Sequence, residues 1–135
     1  MRTGARIAIL LASLAGLAAV GQVLTGSFST RCAMDGRRIE WIYTVTVHFS
    51  DHTQKAFCSV RCAASFLGTG EKAATVEVRD EISGRILSAE RAHFLRSRVG
   101  SEPPYDGVHV FADWAQALAQ QQALGGELIQ NPFKQ

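Results

Sequence analysis

Two cysteines four residues apart, Cys58 and Cys62, lie where the sequence predicts the start of a short helix. Ser59 is a good N-cap, and Val60–Leu67 follows as the helix. If the helix includes both cysteines, this spacing places both thiols on one face. Backbone N–H groups and the helix dipole favour a thiolate at Cys58, and the nearby Arg61 could help. A thiolate is a soft ligand that selects copper(I), zinc or iron–sulfur over hard ions.

Further sulfur ligands are predicted at Cys32-Ala33-Met34. A thiolate close to a thioether is typical of copper(I), whereas the usual ligands of zinc are Cys, His and carboxylates. His52 lies in the turn just before the strand that leads to Cys58, so it can reach a site there. The candidate metal ligands are therefore Cys58, Met34 and Cys32, with Cys62 and His52 next.

The three cysteines leave other interpretations open. Each can be a small buried apolar residue, and Cys32 can pair in a disulfide with Cys58 or Cys62, leaving one thiol unpaired. Met34 can be simple core filler, and a histidine is more often a surface or core residue than a ligand. The alternative function is a non-metal thiol/disulfide-containing periplasmic interaction module. Three cysteines also permit organomercurial chemistry, although nothing in the sequence demands it.

The elements that must position these residues indicate an α+β fold. Asp113 caps a second helix, Trp114–Leu124, which ends at Gly125-Gly126, and residues 100–107 form a loop. Ser88 caps a brief helix over residues 89–92, and residues 93–99 return as extended chain. Segments rich in β-branched and aromatic residues and bounded by turn residues predict strands at residues 39–49, 54–57, 74–79, 85–87, 108–111 and 127–129.

The predicted elements repeat along the chain. The order strand, cap, helix, glycine, strand occurs once from residue 56 and again from residue 110. Two related ββαβ units that share one core and form one small domain explain this order. In the alignment Cys58 corresponds to Ala112 and Cys62 to Gln116, so the second unit keeps the frame without the thiols.

The first thirty residues have the pattern of an export segment. Arg2 and Arg6 precede a run without charge, and residues 7–24 are mostly apolar. We therefore expect residues 1–30 to be a signal peptide or an N-terminal membrane anchor helix, with Ala19-Val20-Gly21 as small residues for cleavage. Both interpretations place residues 31–135 in the periplasm, either soluble after cleavage or tethered to the inner membrane by residues 7–24.

Charge and motifs exclude several classes of protein. Without Arg2 and Arg6 the chain is formally neutral, and Arg37-Arg38 is its only adjacent basic pair, so it does not have the basic face of a nucleic-acid binder. It contains no nucleophile elbow, no phosphate-binding glycine loop and no convincing carboxylate pair. The sequence therefore predicts a protein that is not an enzyme.

Several motifs together are similar to those of a known family. They are the export segment, Cys32-Ala33-Met34 followed by Asp35-Gly36, Phe57-Cys58-Ser59, Val78-Arg79-Asp80, and the closing stretch from Phe111 through Gly126-Glu127 to Phe133. With these motifs the chain resembles the NosL family of nitrous-oxide reductase accessory proteins over most of its length after Thr30.

The resemblance implies a periplasmic copper(I)-binding chaperone with two related ββαβ units. It would help to deliver copper to nitrous-oxide reductase or a related copper enzyme, together with an associated ABC transporter. The chain also departs from the family pattern. It has Cys32-Ala33-Met34 where the family typically has Cys-Gly-Met, it has no lipobox cysteine, and it has no methionine in residues 100–107.

Overall fold

The computed structural model describes residues 30–99 and 107–134. Residues 1–29 of the predicted signal or anchor segment lie outside the described residues, as do residues 100–106 of the predicted loop. No helix in the described part of the chain is long and apolar enough to cross a membrane. The elements are β1 (Val45–His48), β2 (Gln54–Phe57), α1 (Val60–Leu67), β3 (Thr75–Arg79), β4 (Ile86–Ser88), β5 (His93–Arg96), β6 (Val108–Phe111), α2 (Trp114–Leu124) and β7 (Glu127–Ile129), with 3₁₀ turns at Trp41–Tyr43 and Ala89–Arg91.

The strands form two antiparallel sheets, with the orders β2-β1-β3-β4 and β6-β5-β7. In each sheet a hairpin is followed by a helix and then by a strand that pairs with the other edge of the first strand. The register of the two sheets matches as well. In the first sheet Val45 pairs with Phe57 and Val47 with Val76. In the second sheet His93 pairs with Phe111 and Leu95 with Leu128. The protein is thus a mixed α+β domain in which the expected ββαβ order occurs twice.

The repeat also includes a turn before each unit, which the alignment of the two halves of the chain did not predict. The N–H of Cys32 donates to the carbonyl of Arg37 (2.8 Å), and the carbonyl of Cys32 accepts from the N–H of Gly36 (2.9 Å). Asp80 makes the same two bonds with Arg85 (2.9 Å) and Gly84 (2.7 Å). Cys32 and Asp80 therefore occupy equivalent positions.

Each turn is fixed to the hairpin of the unit that follows it. The N–H of Ala33 donates to the carbonyl of Ala56 in β2 (2.9 Å), and the N–H of Glu81 donates to the carbonyl of Val110 in β6 (2.9 Å). A glycine with φ near +70° occupies the same place in both turns, at positions 36 and 84. Glycine adopts this left-handed conformation without steric cost. The two turns are therefore held against their sheets in the same way.

Most of the core is shared by the two units. Phe57 and Val78 of the first unit and Phe94 and Val110 of the second are buried in one cluster, which also contains Cys32 and Cys58. Burial of one such large side chain contributes about 1.5–3 kcal/mol to stability. A smaller cluster, Leu95, Phe111 and Ala117, lies under α2. The turn with Cys32 and the start of α1 are thus part of the packed core.

The strand predicted over residues 39–49 is wrong in its first half. A 3₁₀ turn, Trp41–Tyr43, occupies this stretch, and β1 begins only at Val45. The Thr44 hydroxyl donates to the carbonyl of Trp41 (2.8 Å), and the guanidinium of Arg79 lies 5.6 Å from the Trp41 ring centroid. The local Thr44 bond and the long-range Arg79 contact together outweigh the β propensity of the segment. Both α-helices, in contrast, begin and end at the predicted residues.

Candidate metal centre

Three thiols and one carboxylate converge at the start of α1. The sulfurs of Cys32, Cys58 and Cys62 and a carboxylate oxygen of Asp35 all lie within 4.8 Å of one another. The Sγ atoms of Cys58 and Cys62 are 3.7 Å apart. Asp35 Oδ2 lies 3.6 Å from Cys62 Sγ and 3.8 Å from Cys58 Sγ. We refer to these four residues as the Cys3Asp cluster.

The predicted helix start places two of the thiols. Ser59 is the N-cap of α1, and its Oγ accepts a hydrogen bond from the N–H of Cys62 (3.1 Å). Cys58 directly precedes this cap, and Cys62 lies in the first turn of the helix. A serine N-cap is worth about 1 kcal/mol to a helix, so this local geometry is stable. The helix begins after Cys58, so the two cysteines do not share a helix face, but the Cys58 sulfur still lies 3.7 Å from that of Cys62.

The turn between residues 31 and 38 brings the other two groups of the cluster. It is closed by a bridge between Arg31 and Arg38 and fixed to β2 through Ala33. Within the turn, the N–H of Arg37 donates to Asp35 Oδ1 (3.0 Å), and Arg37 Nε lies 3.6 Å from Asp35 Oδ2. These contacts orient the carboxylate towards the thiols.

The cluster is buried on one side and accessible on the other. Cys32 is 4% exposed and Cys58 is 1% exposed, whereas Cys62 is half-buried and Asp35 is exposed. Burial of Cys32 and Cys58 alone would fit small apolar core residues. Packing alone does not require that three thiols meet at one partly open point, and such an arrangement can hold a soft cation.

Burial decides the protonation of the thiols. It raises the pKa of the Cys58 thiol, and hydrogen bonds with Cys32 and Cys62 raise that pKa further. Burial also raises the pKa of Cys62, although hydrogen bonds with Ser59 and Cys58 act in the opposite direction. The thiolate expected at Cys58 is therefore wrong for the metal-free protein, because desolvation outweighs the helix start. A bound cation would reverse this balance by stabilising the thiolates.

Asp35, in contrast, is ionised. Its hydrogen bond from the backbone N–H of Arg37 lowers the pKa of the carboxyl group, with smaller contributions from Cys32, Cys62 and the Arg37 charge. The cluster therefore contains one negative charge beside two thiols, those of Cys58 and Cys62, whose pKa values are raised. Asp35 is a candidate ligand that was not predicted, although its position three residues after Cys32 was an available signal.

The other two candidate ligands lie at the periphery. Met34 belongs to the same turn as Cys32 and Asp35 and is 48% exposed, so it is not core filler. His52 is exposed in the turn between β1 and β2, with φ of 67°, and is not part of the Cys3Asp cluster. The structure thus brings Cys32, Cys58 and Cys62 together, keeps Met34 on the adjacent turn and places His52 outside the cluster.

The second unit shows what the same frame does without thiols. Asp80 replaces Cys32, Ser83 replaces Asp35, and Ala112 replaces Cys58. Asp80 Oδ1 accepts from the N–H of Ala112 (3.2 Å), and its Oδ2 accepts from the N–H of Ser83 (3.0 Å). These bonds satisfy the buried carboxylate and connect the turn to the start of α2. Equivalent positions therefore have a structural role in one unit and gather potential metal ligands in the other.

No protein-family model and no curated protein sequence matches the chain. Among solved structures, the copper chaperone NosL from Shewanella denitrificans matches with a TM-score of 0.65, over 76% of this chain and 87% of that chain. The chain has the fold of NosL. Sequence identity over the match is 21%, so the relationship is one of fold. The NosL-like fold confirms the resemblance inferred from the motifs at this level, and the matching protein is a chaperone rather than an enzyme.

Proposed function

We propose that this chain is a periplasmic copper(I) chaperone that receives the ion on the Cys3Asp cluster and passes it to a copper enzyme. The observation that carries the proposal is the convergence of Cys32, Cys58 and Cys62 at one partly open point. The NosL-like fold supports the assignment, because the matching structure is that of a copper chaperone. The proposed role is transport and does not include catalysis.

The three sulfurs are the proposed copper(I) ligands. Thiolates are soft, and a site with few ligands suits an ion that must be released again. Met34 is the proposed accessory ligand, since its exposed thioether lies on the turn that carries Cys32. His52 keeps the weakest support among the residues expected from the sequence, because it lies outside the cluster.

The distribution of burial suggests a route for transfer. Cys32 and Cys58 hold the ion from the core side, while the half-buried Cys62 faces the opening. A ligand of the receiving protein can attack the ion from this side and replace the ligands of the chaperone one at a time. The buried sulfurs would then be the last to release the ion.

The receiving protein and the place of action come from the sequence resemblance. We propose that the acceptor is the apo form of nitrous-oxide reductase or a related copper enzyme and that an ABC transporter takes part in the maturation. Residues 1–30 would export the protein to the periplasm or anchor it in the inner membrane. Export would place the cluster in the compartment of the proposed acceptor.

Copper(I) titration of the reduced protein against a competing chelator tests the proposal. Cys58→Ser removes a buried ligand, so we expect the copper(I) affinity to fall at least about tenfold, or about 1.4 kcal/mol. Ser83→Ala, in the equivalent turn of the second unit, is the matched control and should leave the affinity unchanged. An affinity that is unchanged in Cys58→Ser combined with Met34→Leu would refute these ligands.

Mass spectrometry of the exported protein tests the alternative of a thiol/disulfide module. All three cysteines are free thiols in the structure. Cys32 lies within 4.8 Å of both Cys58 and Cys62, so its sulfur would have to approach one of them to the S–S length of a disulfide, about 2.05 Å. A stoichiometric disulfide in the functional protein would favour the alternative over metal transport.

A further inference from the structure

The face of the first sheet that points away from the core carries a groove. Residues along a strand alternate between the two faces of a sheet, so Val45 and Val47 of β1 are buried in the core while Thr46 lies on the opposite face. There Thr46 lines a groove of about 410 Å³. Among the described elements, α1 buries its apolar side chains in the shared core and α2 packs on the second sheet, so neither helix covers this groove. Other residues that line it are Thr30, Ile39, Trp41, Arg79 and Ile86.

Large apolar side chains are exposed beside this groove. Trp41 is 65% exposed and Ile86 is 53% exposed, and both line the groove. The indole of Trp41 packs over Gly84, and Ile82 of the same turn is exposed as well. We call Trp41, Ile82 and Ile86 the apolar rim. Single exposed apolar side chains are ordinary, but a group of them beside a groove is typical of a binding surface.

Arginines border the groove. Arg31 and Arg38 are exposed and lie directly opposite each other in a backbone bridge. Like charges in directly opposite positions repel, so this pair favours an anionic partner. Arg38 directly precedes Ile39 of the groove, and the exposed Arg85 directly precedes Ile86. The border of the groove therefore carries three exposed arginines.

The carboxylates of this region do not cancel its positive charge. Arg79 adds a fourth guanidinium, 5.6 Å from the Trp41 ring centroid. Against these four groups stand two carboxylates, the exposed Glu40 and Glu77, which lines the groove. Glu77 lies 3.1 Å from His48. The region is therefore positive whether or not that histidine carries a proton.

The groove also lies where the chain leaves the predicted anchor. Thr30 lines the groove, and the apolar run that is expected to act as an anchor ends at residue 24. Six residues of extended chain span at most about 22 Å, so an anchor in the bilayer would hold Thr30 within this distance of the hydrocarbon. A lipid surface binds tryptophan at its interface, apolar side chains beside it and basic residues at its anionic headgroups. This face carries all three next to the tether.

We propose that this face docks on the anionic lipid surface of the inner membrane, with the apolar rim at the level of the headgroups and the arginines on lipid phosphates. The inference rests on the anchor proposed for residues 7–24 and is independent of copper binding. Cys32 and Cys58 belong to the core on the other side of the sheet, so docking does not cover them. The membrane would thereby orient the domain and leave the Cys3Asp cluster accessible to a partner in the periplasm.

Tryptophan quenching tests the docking in the reduced full chain, reconstituted in vesicles of phosphatidylglycerol and phosphatidylcholine with brominated acyl chains. The chain has two tryptophans, so Trp114→Phe leaves Trp41 as the only reporter and Trp41→Phe leaves Trp114. Trp114 is the matched control, because it is also exposed but lies at the start of α2 in the second unit. Brominated lipid should quench Trp41 emission at least about twofold and change Trp114 emission by less than about a tenth.

A second pair of variants separates docking from a general loss of exposed apolar surface. Ile86→Ser removes an apolar side chain from the rim, and Val99→Ser removes one of similar exposure in the second unit. With Trp41 as the only tryptophan, Ile86→Ser combined with Arg38→Gln should reduce the quenching at least about twofold, whereas Val99→Ser should leave it unchanged. Vesicles of phosphatidylcholine alone should reduce it as well, and a urea midpoint equal to that of the parent shows that each variant is folded.

The outcomes decide between lipid docking and its alternatives. Equal quenching of both tryptophans, or no quenching of Trp41 in a chain that floats with the vesicles, would overturn the docking, and the second result would assign the apolar rim to a protein partner. A chain that does not float with the vesicles would overturn the anchor and the docking together. Copper(I) titration of the same samples keeps the two proposals apart. Quenching of Trp41 without copper(I) retention would refute only the chaperone function, and copper(I) retention without quenching would refute only the docking.

Discussion

The copper(I) affinity of the cluster should depend steeply on pH. Burial raises the pKa values of Cys58 and Cys62, so both carry protons in the metal-free protein near neutral pH. A metal binds the thiolate, so copper(I) must displace these protons. Because proton release becomes more favourable as pH rises, copper(I) binding strengthens towards alkaline pH.

The magnitude follows from the number of protons displaced. Each proton changes the apparent binding constant about tenfold per pH unit, so two thiols predict at least about 100-fold, or about 2.7 kcal/mol per unit. Between pH 6 and pH 8 the apparent affinity should therefore rise by at least about 10,000-fold. Asp35 adds no slope in this range, because its pKa is lowered and the carboxyl is already ionised.

The assay is a competition titration of the reduced protein at several pH values, with a copper(I) chelator whose affinity is constant over the range. Cys62→Ser removes one displaced proton, so its slope should fall by one order of magnitude per pH unit. A parent slope of tenfold per unit or less would refute the argument that burial keeps both thiols protonated. An identical slope in Cys62→Ser would refute the role of that thiol.

Three further predictions concern the frame of the site. In the metal-free reduced protein the pKa of Cys58 is raised, so the Cys58 thiol ionises at lower pH in the unfolded chain than in the folded one. The urea midpoint of unfolding should therefore fall as pH rises above about 8.5, and an unchanged midpoint would contradict this. Ser59→Ala and Asp113→Ala should each lower the free energy of urea unfolding by about 1 kcal/mol, because each removes an N-cap. Only Ser59→Ala should weaken copper(I) binding, and equal copper(I) affinities of the two variants would contradict the role of the cap. Gly84→Ala should lower the free energy of unfolding more than Gly36→Ala does. Both glycines have φ near +70°, but only an alanine Cβ at position 84 would lie 2.8 Å from the indole ring of Trp41. Equal unfolding free energies would refute this.

Local chemistry made much of the fold predictable. Ser59 and Asp113 mark their helices because an N-cap acts within three residues, and glycines after each helix end it. The internal repeat was predictable because these local signals fix the order of the elements. The Cys58 and Cys62 pair also follows from local spacing, because Cys58 directly precedes the N-cap and Cys62 lies in the first turn of the same helix.

The environment of the thiols was less predictable, because it depends on long-range packing. The helix start argued for a thiolate at Cys58, but Cys58 is 1% exposed and its pKa is raised by burial. Likewise, Trp41 has strong β propensity yet lies in a 3₁₀ turn against Arg79. Sequence patterns report local preference and contain little information on desolvation or on the partners of a side chain.

Residue types and spacing alone place soft ligands at the start of a short helix and in a preceding turn. That these ligands form one site depends on how the chain folds. Asp35 meets Cys58 across 23 residues because the turn is fixed to β2 by the bond from Ala33 to Ala56. That bond is a contact between segments separated in sequence, and such contacts form only when the sheet is paired and the core is packed.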